Sequence, residues 1–382
     1  MPFRSTDPLM ERARLIAAHL DGLYSITELA ARFGVSRPTV YKWIARYRDG
    51  GAEALIDRSR ARLTQHAKTS AEAERLIVEA RRAHPTWGAR KLLRYLEGRH
   101  DGVAWPAVST AAAILAGHGL TKKRRPRRPP KHPGSTPLVA EQPNAVWTAD
   151  YKGQFRTGDG ELCYPLTVCD AHSRFILSCH GLASVEQYAA LRQFERLFYE
   201  YGLPTAIRSD NGTPFATQAI CGLSRLSVWW IKLGIDHQRI DPGRPQQNGA
   251  HERMHRTLKA ETARPPKRDM AAQQVRFDRW RAEFNEERPH EALGLDTPAS
   301  RYVPSPRPMP NVLPEPDYPG HYEVRYVSRD GAIRLKKRQV FVSQALGGER
   351  VGLEETADGV WDLYFCDRLL ARLDERTWKL SA

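Results

Sequence analysis

A proline-broken basic run constrains this chain more than any other feature: Lys122-Lys123-Arg124-Arg125-Pro126-Arg127-Arg128-Pro129-Pro130-Lys131. Prolines withhold the N–H donors a helix needs, and closely spaced like charges repel, so the run reads as an extended connector. A second proline-rich stretch, Pro304 to Pro319, interrupts the chain again. The sequence therefore predicts several bodies: helical domains over 1–60 and 61–121, a basic linker over 122–139, a mixed α/β body over 140–302, a proline-rich linker over 303–317, and a strand-rich tail over 318–382.

Charge divides at the same place. The 382 residues carry 59 Lys plus Arg against 44 Asp plus Glu, a net +15. Residues 1–132 hold 26 basic and 12 acidic side chains, and residues 133–382 hold 33 and 32. Nearly all the excess base thus lies in the first third, which implies a polyanionic partner, with nucleic acid the leading one. Composition is otherwise globular, 41% hydrophobic and 27% charged, which excludes a wholly disordered chain. The five cysteines form no CxxC pair, so neither a disulfide framework nor a zinc knuckle is expected, and a reducing cytoplasm fits. Charges begin at Arg4 and Asp7, ahead of any apolar run, and the uncharged stretch from Gly102 to Thr121 is broken by Pro106, Gly117 and Gly119. Neither a signal peptide nor a membrane span is expected.

Within the basic third, Ile26 to Trp43 reads as a helix-turn-helix. Leu29, Ala30 and Phe33 give one helix an apolar face, Gly34 supplies a permissive turn, and Ser36 with Pro38 starts the second helix. Val40 and Trp43 then face inward, leaving Arg37, Thr39, Tyr41 and Lys42 outward, where a recognition helix meets DNA bases. A weaker unit follows, with apolar periodicity from Leu76 and helices over Gly88–Leu96 and Val108–Leu115; it reads as a second, winged-helix-like DNA-binding unit, with a plain helical spacer the alternative. The linker cations Lys122, Lys123, Arg124, Arg125, Arg127 and Arg128 suit phosphate tracking.

In the middle body, three short strand-like runs, a helix, a strand, a helix, a strand and a helix predict an α/β sheet of the ribonuclease-H kind. Asp150 lies inside the first run and Asp210 at the end of a later strand before Asn211-Gly212. Glu252 falls in the first turn of a helix running from about Ala250 to Ala263. Acids so placed can converge on one sheet edge, where mutual repulsion calls for a divalent cation, and oxygen ligands suit Mg²⁺ or Mn²⁺. Arg256 and Lys259 follow Glu252 at helical spacing and can hold phosphates. Asp170 reads as a structural acid capping the turn to Ser173, and His251 as a DNA or packing contact.

Trp147-Thr148-Ala149-Asp150, Ser209-Asp210-Asn211-Gly212-Thr213-Pro214-Phe215 and the run from Arg244-Pro245-Gln246-Gln247-Asn248-Gly249 through Glu252 to Lys259 closely resemble the three acidic motifs of bacterial insertion-sequence transposases with an integrase (DDE) core. Phe284 to Gly294 resembles the segment closing that core. The resemblance implies that Asp150, Asp210 and Glu252 form a catalytic, metal-binding triad using Mg²⁺, with Mn²⁺ able to substitute. It also implies binding of the element's terminal repeats and of target DNA, metal-dependent strand cleavage and 3′-hydroxyl strand transfer, and a homodimer or higher assembly on DNA in a bacterial cytoplasm. A DNA-binding repressor or domesticated derivative without the chemistry is the alternative. Asp210 and Glu252 stand 42 residues apart, a longer spacing than that superfamily commonly shows, which predicts extra structure near Cys221 to Leu233. Alternating runs after Tyr318, joined at Asp330-Gly331, Gly347-Gly348 and Asp358-Gly359, predict a small antiparallel β-barrel.

Overall fold

The computed structural model describes residues 7–58, 69–121, 140–217, 222–241 and 249–381. The linker cations Lys122, Lys123, Arg124, Arg125, Arg127 and Arg128 lie outside the described residues, as does the segment 242–248. The chain divides near residue 68 into two compact units.

The first unit is helical: α1 (Pro8–Leu20), α2 (Ile26–Arg32) and α3 (Arg37–Gly50), closed by a short turn over Ala52–Leu55. Side chains cap the starts of α1 and α2, while Ser36 precedes α3 without a side-chain cap bond. Asp7 accepts from the Leu9 N–H at 2.9 Å, and Ser25 with Glu28 forms a reciprocal capping box on α2. Gly34 takes φ +65° between α2 and α3, a conformation that a side chain would strain. Leu15, Ile16, Leu29, Val40, Trp43, Ile44 and Leu55 meet in one core. Arg12 and Arg46 lie over the Trp43 ring at 4.1 and 4.7 Å, so the indole is packed by cations.

The second unit begins with α4 (Ala71–Ala83), α5 (Ala89–Glu97) and α6 (Val108–Gly117), gathered around Ile77, Trp87, Leu92 and Leu115. Among the described residues of 69–121 there is no strand, so no wing is found there.

Next come β1 (Val146–Tyr151), β2 (Phe155–Arg156), β3 (Leu162–Asp170), β4 (Ile176–Leu182), α7 (Gln187–Tyr201), β5 (Ala206–Ser209), α8 (Arg225–Lys232), β6 (Asp236–Arg239), α9 (Gly249–Thr262) and α10 (Met270–Ala282). The strands order as β4-β3-β1-β5-β6, with β2 also paired to β3. β3 is antiparallel to β1 and β4, while β1, β5 and β6 run parallel. This is the ribonuclease-H-like arrangement. Strand periodicity sorts the faces. Trp147, Ala149, Leu166 and Val168 point to the side covered by α7 and α8. Cys169, Ile176 and Cys179 meet Met254, Leu258, Phe277 and Trp280 of α9 and α10 on the other side. Thr148 and Asp150 alternate with Trp147 and Ala149 on β1, and therefore turn toward α9.

The three-helix group docks on this body. His84 Nδ1 lies 2.9 Å from Glu283, Arg99 3.2 Å from Glu287, and Thr86 hydrogen-bonds Glu261, which also accepts from Trp280 Nε1 at 2.6 Å. After α10, the buried Asn285 side chain accepts from the Ile176 N–H at 2.8 Å and donates to its carbonyl at 3.0 Å, finishing the exposed edge of β4. Asn285→Ala leaves both main-chain groups buried without partners. A loss of about 2–3 kcal/mol is expected in chemical denaturation, and an unchanged midpoint would contradict it.

The tail holds β7 (Glu323–Tyr326), β8 (Ala332–Leu335), β9 (Arg338–Phe341), β10 (Arg350–Ala357), β11 (Val360–Phe365), β12 (Arg368–Asp374) and β13 (Lys379–Ser381). The expected barrel does not form. Five strands make an open sheet, β13-β12-β11-β10-β7, beside the separate hairpin β8-β9. The reason is packing: Val351, Leu353, Leu363 and Phe365 share a core with Leu223, Val228 and Ile231 at α8, so a helix covers apolar surface that closure would otherwise hide. α8 is buried on two sides, since Leu226 and Trp230 belong to the central core. Among the described residues no helix is long and apolar enough to cross a membrane.

Candidate functional site

Parallel pairing of β1 with β5 sets Ala149 opposite Ser209, and Asp150 and Asp210 are the next residues: Asp210 follows the end of β5, whereas Asp150 is still within β1 and paired to Thr167 of β3. The ends of neighbouring parallel strands lie about 4.8 Å apart. Glu252 reaches the same region from the first turn of α9. Burial, then the charge of Asp210, and to a smaller degree that of Glu252, push the Asp150 carboxyl up to about 7. Burial also raises Asp210, although the Gly212 N–H, 3.2 Å from its Oδ1, works the other way. Asp150 is thus within electrostatic reach of both Asp210 and Glu252.

A cleft of about 590 Å³ opens beside Asp150 and Glu252, lined also by Tyr151, Lys152, His255, Arg256, Lys259 and Arg264 among others. Arg256 and Lys259 stand on the α9 face that carries Glu252, both exposed. Lys152 and Arg264 were not anticipated from sequence. Lys152 carried a signal, because it lies two residues beyond Asp150 on the same strand line; Arg264 follows the end of α9 and carried none.

Three further residues also went unassigned. Thr167 on β3, directly opposite Asp150 in the ladder, donates its hydroxyl proton to the Asp150 carbonyl at 2.9 Å. The same oxygen lies 2.7 Å from His251 Nε2 and 2.6 Å from His255 Nε2. Thr148 Oγ1 meets the other His251 nitrogen, Nδ1, at 2.9 Å. Both rings are buried. Burial depresses the two imidazoles to about 3 and about 2, so both are neutral. His251 is therefore a packed residue with both nitrogens engaged. His255 Nδ1 faces Asp150 Oδ2 at 3.6 Å. Asp150, His251 and His255 offer donor atoms within 4.8 Å of one another, but only the first and last have an atom free to bind a cation.

Asp170 sits elsewhere. Fully buried opposite Trp147, it accepts from the Asn144 N–H, the Ser173 N–H and the Ser173 hydroxyl at 2.8, 2.7 and 2.6 Å. That is a structural acid tying a turn. In the first unit, Arg37, Tyr41 and Lys42 are exposed on α3, and Thr39 is half-buried with its hydroxyl 2.9 Å from that of Ser36. Lys42 Nζ lies 5.5 Å from the Trp43 ring.

Comparison with known proteins follows this layout. Residues 140–245 and 233–298 match Integrase core domain families, residues 11–62 a Helix-turn-helix domain and residues 39–115 a Homeodomain-like domain. Residues 322–380 match the IS481 family transposase, C-terminal domain. The insertion element IS476 uncharacterized 39.2 kDa protein of Xanthomonas euvesicatoria is 26% identical over 236 residues, covering 58% of this chain and 62% of the relative. The insertion element IS407 uncharacterized 31.7 kDa protein of Burkholderia multivorans is 28% identical over 260 residues, covering 64% and 87%. The chain thus spans less than two thirds of the first relative and most of the second. Among solved structures, a simian T-cell lymphotropic virus intasome in complex with PP2A regulatory subunit B56 gamma aligns at 18% identity over 77% of this chain and 97% of that one, with TM-score 0.38.

Proposed function

We infer the function of this chain from the family it belongs to, the IS481-family transposases with helix-turn-helix domains, an integrase core and an IS481-type C-terminal domain. It binds the terminal repeats of its element through the helical N-terminal units, cuts the ends, and joins a 3′-hydroxyl to target DNA. One observation supports the reading above the rest: Asp150 feels the charges of both Asp210 and Glu252, and it shares with Glu252 a cleft whose lining supplies Lys152, Arg256, Lys259 and Arg264. Carboxylates and cations have distinct duties in such a cleft. The cations hold phosphates of the bound strands and fix their path past the acids. The acids repel one another, and the hard oxygens of Asp150, Asp210 and Glu252 suit Mg²⁺, with Mn²⁺ as substitute. Such ions supply Lewis acidity to the phosphodiester being cut or joined.

Joining two ends calls for at least two copies of the chain on DNA. A strand-transfer assay with labelled terminal-repeat DNA tests the reading. Joined product that depends on Mg²⁺ or Mn²⁺ is expected. Specific binding without joining in either metal would leave a DNA-binding repressor or domesticated derivative instead.

On the reader side, Arg37 and Lys42 project from α3 and Thr39 and Tyr41 lie beside them, so α3 is proposed to enter the major groove. Replacing Arg37 and Lys42 together by Ala removes two cations and, at Lys42, a 5.5 Å approach to the Trp43 ring. Specific gel shifts should weaken by about tenfold or more, with a shallower salt dependence. Unchanged binding would move recognition to α4–α6 or to the basic linker.

A further inference from the structure

Proton counting around Thr167 exposes a donor that the acidic triad does not include. The Thr167 hydroxyl owns one proton, and the Asp150 carbonyl takes it. Only lone pairs remain for the two imidazoles that contact the same oxygen, so each ring donates an Nε2–H to it. An imidazole binds a cation through an unprotonated ring nitrogen, and with Nε2–H committed to Thr167 the nitrogen left for that is Nδ1 in each ring. That of His251 faces Thr148 Oγ1 at 2.9 Å, whose one proton lies between it and the Cys169 carbonyl at 3.3 Å. That of His255 is held 3.6 Å from Asp150 Oδ2, too far for a hydrogen bond. Two donors each about 2.1 Å from a shared ion lie up to about 4.2 Å apart, so this separation is one that a single cation spans.

We propose that His255 Nδ1 is a ligand to the divalent ion held by Asp150, giving that position a mixed oxygen–nitrogen donor set that favours Mn²⁺ over Mg²⁺. The proposal rests on reading Asp150 as a metal ligand. Thr167 is then a positioning residue: its single proton, spent on the Asp150 carbonyl, sets the tautomer that turns the His255 lone pair toward the carboxylate. A ring nitrogen suits the transition metals, whereas Mg²⁺ prefers oxygen and retains its waters. The nitrogen therefore contributes selectively to Mn²⁺.

The test uses the untagged full chain and Mn²⁺ alone. Pulsed electron paramagnetic resonance on the Mn²⁺-bound protein should show coupling to a directly bound ¹⁴N, lost in His255→Asn. Mn²⁺ affinity should fall by on the order of 10–100-fold in that variant, while Mg²⁺ affinity, read by competition, stays close to wild type. The wild-type spectrum needs no variant to fold: Mn²⁺ bound with oxygen ligands only overturns the proposal, as does nitrogen coupling that persists in His255→Asn. Asp150→Asn separates the two levels. If wild type binds no Mn²⁺, or Asp150→Asn binds it equally well, the reading of the acids fails as well. If Asp150→Asn abolishes binding and His255→Asn does not weaken it, only the nitrogen ligand is lost.

Discussion

Glu252→Gln, Asp150→Asn and Asp210→Asn should each reduce strand joining by on the order of a thousandfold or more while leaving terminal-repeat binding near wild type. Each substitution keeps the side chain's shape and removes one negative charge with its hard oxygen. The three positions do not have equal structural exposure, which makes the series informative. Glu252 is exposed in the first turn of α9, so its replacement touches no core contact, and loss of joining there cannot be blamed on misfolding. Asp150 and Asp210 are partly buried at strand ends, so their melting temperatures must accompany the rates. Joining by Glu252→Gln within about tenfold of wild type would remove it from the catalytic set and leave two acids to hold the metal.

The three acids could be singled out because each has a recognisable local position: Asp150 lies inside a short strand-like run, Asp210 precedes Asn211-Gly212, and Glu252 falls in the first turn of a helix. What joins them is not local. The pairing of Ala149 with Ser209 connects segments some sixty residues apart, and no periodicity within either strand specifies it; the family resemblance supplied it instead. Lys152 was readable from the two-residue strand repeat, whereas His255 and Thr167 acquire meaning only when β3 and α9 are superposed on β1. The tail shows the opposite failure. Alternation and Asp-Gly turns correctly predicted antiparallel strands there, but closure depends on whether the two edge strands meet. Here β7 and β13 stay at opposite edges because α8 covers the apolar face. The long spacing between Asp210 and Glu252 has the same explanation, for part of it builds a helix that serves two cores at once.

Asp150→Asn should also stabilise the metal-free protein at pH 8 and lose that advantage near pH 4. The carboxyl is pushed up to about 7 by burial and by Asp210, so the folded chain holds this proton more tightly than the unfolded one. Between the ordinary aspartate range and about pH 7 the unfolded state releases the proton while the folded state keeps it. Stability therefore falls as pH rises through that window and levels off above it, at a cost of about 2–4 kcal/mol from this one group. Asparagine has no such proton to lose. In EDTA the variant should melt above wild type at pH 8, and the two curves should converge toward pH 4. Saturating Mg²⁺ should reverse the order at pH 8, since ligand binding stabilises only the protein that retains the carboxylate. If Asp150→Asn is instead destabilised equally at both pH values in EDTA, native contacts hold Asp150 in place and repulsion does not dominate. The strain that a metal would relieve would then be absent from the site.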